Sequence, residues 1–136
     1  MDADEKNRQI RICMGKRPLP LLIKTEPYPG FPTDLQSPFM AFLATAQGTS
    51  YIEEQVFEGR FATAKILEQM GAVIRTEDQR AVIEGHYPLK GAAVNACDLR
   101  GGAALMVAAL AAEGDTFIGE CHHIERGYED ICRDMA

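Results

Sequence analysis

Asp34 stands at the end of "PYPGFPTD", where three prolines and a glycine stiffen the approach to one carboxylate. Restricting the chain that leads to a side chain lowers the entropy lost in holding it, so this spacing suits a positioned base. The competing role is a first-turn or N-cap carboxylate at the start of the helix that follows. Arg60 and Arg126 lie 66 residues apart, each close to an aromatic residue, Phe61 and Tyr128. A planar guanidinium captures phosphate or carboxylate in a bidentate manner. The competing role of Arg126 is a surface ion pair with Glu125 or Glu129, which contributes little to stability.

The rest of the composition narrows what these residues can act on. A chain of 136 residues with 46% apolar content fits one ordinary domain with a real core. The formal net charge of −6 excludes an electrostatic nucleic-acid binder, so an anionic ligand must be held by individually placed basic residues. No apolar run approaches the roughly 20 residues of a membrane span, and "MDADEKNRQ" is unlike a signal peptide, which makes the cytoplasm the expected location. Cys13, Cys97, Cys121 and Cys132 have no zinc-type spacing and read as reduced thiols. "CHH" at 121–123 is expected on a strand, where neighbours face opposite ways, so no metal site is expected.

The elements that must carry these groups follow from periodicity. Thr33 and Gln36 have capping-box spacing, and Leu35, Phe39, Phe42, Leu43 and Ala46 recur at helical intervals until Gly48. "TSYIEEQVF" predicts a strand over 49–57, and a second helix with Phe61, Ala64, Leu67 and Met70 inward should stop at Gly71. "AVIRTEDQRAVIEG" predicts a hairpin whose loop, "EDQ", is slightly longer than the tightest type.

The second half repeats the first. Asp34-Leu35-Gln36 matches Asp98-Leu99-Arg100 64 residues later, Gly48 matches Gly114, and "SYIEE" matches "TFIGE". Two copies of a β-α-β-α unit result, the first over about 10–85 and the second over about 86–136. The first continues into its hairpin, whereas the second stops at "DMA". The missing strand predicts an unpaired sheet edge, possible self-association through that edge, and a chain that is part of a longer polypeptide.

"TEPYPGFPTDLQ", "VFEGRF", "MGAVIR", "GAAVNACDLRGGAALMVAALAAEG" and "HHIERGYE" closely resemble, in order and spacing, the C-terminal portion of the UDP-N-acetylglucosamine 1-carboxyvinyltransferase family. The 5-enolpyruvylshikimate-3-phosphate synthases share the fold, but "PGFPTD" and "RGYE" resemble the sugar-nucleotide branch. The resemblance implies an α/β (α+β) architecture of repeated βαβαββ-type units, the enolpyruvyl transferase inside-out barrel, with about two units of one domain present here. It also implies transfer of enolpyruvyl from phosphoenolpyruvate to the 3-hydroxyl of UDP-N-acetylglucosamine, the first committed step of peptidoglycan synthesis, with no cofactor.

By the same resemblance, Asp34 is the base on the sugar hydroxyl and Arg126 closes on phosphoenolpyruvate. Arg60 and Arg100 are implied as further anion holders, Asp98 orders the loop around Arg100, and Glu58 positions Arg60 or meets the ligand. Val56 and Phe57 correspond to the segment lining the uridine-sugar pocket, with a plain core role as the alternative. The family's N-terminal lysine and the mobile loop with its cysteine or aspartate acid belong to the other domain and match nothing here. The isolated chain is therefore expected to be inactive, with the missing domain as its partner. The alternatives are a stand-alone module that binds a nucleotide sugar or an anion, and a scaffold remnant of the same fold.

Overall fold

The computed structural model describes residues 2–4 and 6–135; Ala136, the end of the second predicted unit, lies outside them. A short antiparallel pair, β1 (Asp2–Asp4) and β2 (Gln9–Arg11), opens the chain. The first β-α-β passage then runs through β3 (Leu22–Lys24), a 3₁₀ turn (Thr33–Leu35), α1 (Gln36–Leu43) and β4 (Thr49–Glu53). After it come α2 (Ala62–Gln69) and the hairpin β5 (Val73–Glu77) and β6 (Arg80–Glu84). The second passage is β7 (Leu89–Lys90), β8 (Ala93–Asn95), α3 (Leu99–Leu110), β9 (Ala112–Glu113) and β10 (Phe117–Gly119). Two short helices, α4 (His122–Glu125) and α5 (Ile131–Met135), complete it.

The repeat is visible in the pairing. β3 runs parallel to β4 with Ile23 opposite Ile52, and β8 runs parallel to β10 with Val94 opposite Ile118. In each passage the helix between the two strands makes the crossover that parallel pairing requires. The first pair extends into a four-stranded sheet in the order β3-β4-β6-β5, whereas β10 pairs only with β8 among the described residues. α1 and α3 pack against each other across the unit boundary.

Strand alternation and helical spacing converge on one core. Ile52 from β4 and Ala81 and Ile83 from β6 meet Met40 and Leu43 of α1, Leu67 of α2, and Ala104 and Leu105 of α3, all fully buried. Among the described residues no helix is long and apolar enough to cross a membrane.

Several local expectations are corrected. The Thr33–Gln36 capping box does not form: the 3₁₀ turn and α1 have no side-chain cap, and Gln36 is buried with its Oε1 accepting from Ser37 Oγ at 2.9 Å. The strand expected over 49–57 ends at Glu53, because the Glu54 carboxylate takes the Val56 and Phe57 N–H groups at 3.0 and 3.1 Å and bends the chain off the sheet. The hairpin loop is tighter than expected. Asp78 adopts φ +47°, a conformation aspartate tolerates, so Glu77 pairs directly with Arg80 and only two residues turn. "CHH" is helical: Glu120 at φ +55° reverses the chain after β10, and His122 and His123 stand in α4 with ring centroids 4.0 Å apart.

Candidate functional site

Past β3 the proline-rich segment closes on itself. Glu26 N–H donates to Phe31 O and Gly30 N–H donates to Pro27 O, each at 2.9 Å, which returns the chain to the end of the strand. Pro32 is extended, and Asp34 follows as the second residue of the 3₁₀ turn. Its counterpart Asp98 is a true N-cap, accepting from Gly101 N–H at 2.7 Å and fixing the start of α3. Asp34 accepts from no backbone N–H among the described residues. Its side chain instead turns to the cations, which sets the cap role aside.

Arg100, in the first turn of α3, donates Nε–H to Asp34 Oδ1 at 2.5 Å. Arg60 Nη1 stands 3.7 Å from the same oxygen. Both guanidiniums approach Oδ1, and Oδ2 has no partner among the described residues. The Asp34 side chain is 65% exposed, so the pair faces solvent and its net worth to folding is small. An exposed carboxylate oxygen beside two guanidiniums can meet a hydroxyl while the cations hold a neighbouring anion. A cleft of about 210 Å³ lies alongside, lined by Asp34, Leu35, Pro38, Leu99, Arg100 and Tyr128.

Arg60 is held from three sides. Its Nη1 donates to Thr33 Oγ1 at 2.7 Å, its guanidinium carbon lies 4.4 Å from the centre of the Phe57 ring, and Asp34 is in front of it. The stacking on Phe57 is a cation–π contact. Gly59, with φ +68°, supplies the left-handed turn that sets Arg60 on this side.

The remaining predicted residues lie nearby or apart. Val56 is half-buried, with its N–H spent on Glu54; Phe57 is exposed and serves as the Arg60 platform. Glu58 is exposed and makes no hydrogen bond or ion pair with Arg60 among the described residues; the carboxylate that supports Arg60, through Thr33, is Glu54. Arg126 caps α4 at its C-terminus and is exposed, and among the described residues it pairs with neither Glu125 nor Glu129 and is not joined to the Asp34 cluster. Tyr128, two residues on, does reach the cleft. α4 is brought close by Gly102, where a Cβ would lie 2.4 Å from Ile124 Cγ1.

Sequence reasoning missed Thr33, Glu54 and Tyr128. The signal for Glu54 was present: in "SYIEE", Ser50, Ile52 and Glu54 share one phase of the strand, and all three are fully buried. A carboxylate in the inward phase of a strand requires partners.

Comparison with known proteins agrees with this architecture. The family model described as EPSP synthase (3-phosphoshikimate 1-carboxyvinyltransferase) matches residues 2–135. A UDP-N-acetylglucosamine 1-carboxyvinyltransferase of Desulfofundulus thermocisternus is 50% identical over 131 residues, covering 96% of this chain and 54% of the relative. UDP-N-acetylglucosamine 1-carboxyvinyltransferase 2 of Carboxydothermus hydrogenoformans is 52% identical over 126 residues, covering 93% and 30%. The chain thus spans from about half to under a third of these relatives' length. Among solved structures, the enolpyruvyl transferase NikO from Streptomyces tendae superposes with a TM-score of 0.78 at 35% identity, over 87% of this chain and 28% of that one. The EPSP synthase from Acinetobacter baumannii, at 23% identity and a TM-score of 0.59 over 69% of this chain and 24% of that one, shares the fold. With its family model matched from residue 2 to residue 135 and its repeated β-α-β passages, the chain belongs to the EPSP synthase family of enolpyruvyl transferases.

Proposed function

We propose that this chain is part of an enzyme that transfers enolpyruvyl from phosphoenolpyruvate to the 3-hydroxyl of UDP-N-acetylglucosamine, a cytoplasmic step that commits sugar nucleotide to peptidoglycan. The observation that carries the reading is the meeting of Arg60 and Arg100 at one oxygen of the exposed Asp34 carboxylate. The relatives' names supply the substrate.

In this reading Asp34 Oδ2 accepts the proton of the attacking sugar hydroxyl. Arg100 and Arg60 hold Oδ1 and thereby fix the carboxylate's rotation. Aspartate is a weak base, so its value here rests on position more than on basicity. The guanidiniums also hold phosphate or carboxylate as charge shifts during addition and elimination. Arg126, two residues before the cleft residue Tyr128 and without an ion pair among the described residues, is the cation that closes on phosphoenolpyruvate. Asp98 keeps Arg100 in place by capping α3, and Val56 and Glu58 flank the sugar-nucleotide side. The proton donor to the enol carbon comes from the other domain, so the chain works only with that domain.

Calorimetric titration of the chain with UDP-N-acetylglucosamine tests the site. Heat of binding that Asp34→Ala abolishes supports it. Equal affinity in the native chain and in Asp34→Ala overturns the assignment of Asp34.

A further inference from the structure

Glu54 is fully buried, yet the site as described above uses it for no chemistry. Four donors converge on its carboxylate. Oε1 accepts from Thr25 Oγ1 at 2.8 Å, Val56 N–H at 3.0 Å and Phe57 N–H at 3.1 Å; Oε2 accepts from Thr33 Oγ1 at 2.9 Å. Thr25 can donate there because its own oxygen accepts from Gln55 N–H at 2.9 Å. Three segments therefore meet on one side chain: the end of β3, the turn that carries Asp34, and the loop that carries Phe57 and Arg60.

We infer that Glu54 is a positioning residue, which orients Arg60 through the Thr33 hydroxyl and seats the Phe57 platform beneath it. The direction of each bond makes the argument. An ionised carboxylate accepts only, so Thr33 must spend its one hydroxyl proton on Glu54 Oε2. Its lone pairs are then left for a donor, and Arg60 Nη1 fills that place at 2.7 Å. Through the same carboxylate the Phe57 N–H is fixed, which sets the ring on which Arg60 lies. In Glu54→Gln the amide nitrogen faces Thr33 as a donor, so the Thr33 hydroxyl proton loses its acceptor, the hydroxyl must turn to find another, and the lone pair aimed at Arg60 turns with it.

The inference rests on Arg60 being an anion holder, but its test needs no ligand, so failure of the relay and failure of ligand binding are separate results. In isotope-labelled native chain, nuclear magnetic resonance should show distinct Arg60 Nη–H signals and a Thr33 hydroxyl proton slow to exchange with water. In Thr33→Val the Arg60 signals should merge, with guanidinium exchange rising roughly tenfold while backbone amides elsewhere stay unchanged; Thr33→Ser should restore them. Glu54→Gln should reproduce the Thr33→Val spectrum of Arg60. Folded Glu54→Gln with native Arg60 signals overturns the inference, as does Thr33→Val without effect. Should Glu54→Gln not fold, the native Thr33 hydroxyl decides: slow exchange supports donation to Glu54 and fast exchange contradicts it.

Discussion

Arg100 and Asp34 are 66 residues apart in the chain, and their side chains meet at 2.5 Å, joining the helix start of one repeat to that of the other. The repeat contains two equivalent aspartates, and the structure gives them different tasks. Asp98 satisfies the N-terminus of its own helix, whereas Asp34 leaves its helix uncapped and reaches across to the cation that Asp98's helix carries. A site assembled in this way depends on the packing of α1 against α3.

The contrast predicts opposite responses to one substitution. Asp98→Ala should cost about 1 kcal/mol of stability, the usual worth of an N-cap. Asp34→Ala should cost less than about 0.5 kcal/mol, because it deletes only a solvent-facing pair. Urea unfolding of the two variants checks this, and equal losses would count against the division of roles.

Arg100→Met should separate folding from binding. With the Arg100 side chain 38% exposed, its pair with Asp34 contributes at most about 1 kcal/mol, so the urea midpoint should barely move. Affinity for UDP-N-acetylglucosamine should fall roughly tenfold, as expected when a charge-assisted contact is lost.

Glu54→Ala should be among the most damaging single changes. Four donors lose their acceptor at a fully buried position, and a loss of about 3 kcal/mol or more is expected in urea unfolding. Glu58→Ala, at an exposed position, should change stability by less than about 0.5 kcal/mol.

The edge of β10 predicts self-association. Among the described residues the strand pairs only with β8, and Phe117 on it is 69% exposed. Sedimentation velocity at high concentration should reveal a dimer that Phe117→Lys weakens. A native chain that stays monomeric contradicts this.

Much of the fold could be read in the sequence because apolar spacing and glycine stops are local signals: Leu67 and Met70 are buried at the end of α2 just before Gly71. The meeting of Asp34 with Arg100 is a long-range fact, and the repeat alone set each of them at a helix start without specifying that they touch. What could not be read involved side chains competing with the backbone. Gln36 has capping-box spacing but is buried in α1, and Glu54, although in the inward phase of "SYIEE", takes two backbone N–H groups and ends β4 rather than extending it. Two positive-φ residues, Asp78 and Glu120, set the tight hairpin and the turn into α4, and neither is a glycine that would have marked the place.

The central claim is that this chain supplies a working Asp34 site to an enolpyruvyl transferase. The direct measurement replaces the matched segment of the Carboxydothermus hydrogenoformans relative, 30% of its length, with this chain and follows phosphate release from phosphoenolpyruvate and UDP-N-acetylglucosamine. The account predicts turnover by the hybrid and a loss of about 100-fold or more with Asp34→Ala, the range for removal of a positioned base. A folded hybrid that releases no phosphate, or one in which Asp34→Ala turns over as fast as its parent, would contradict it.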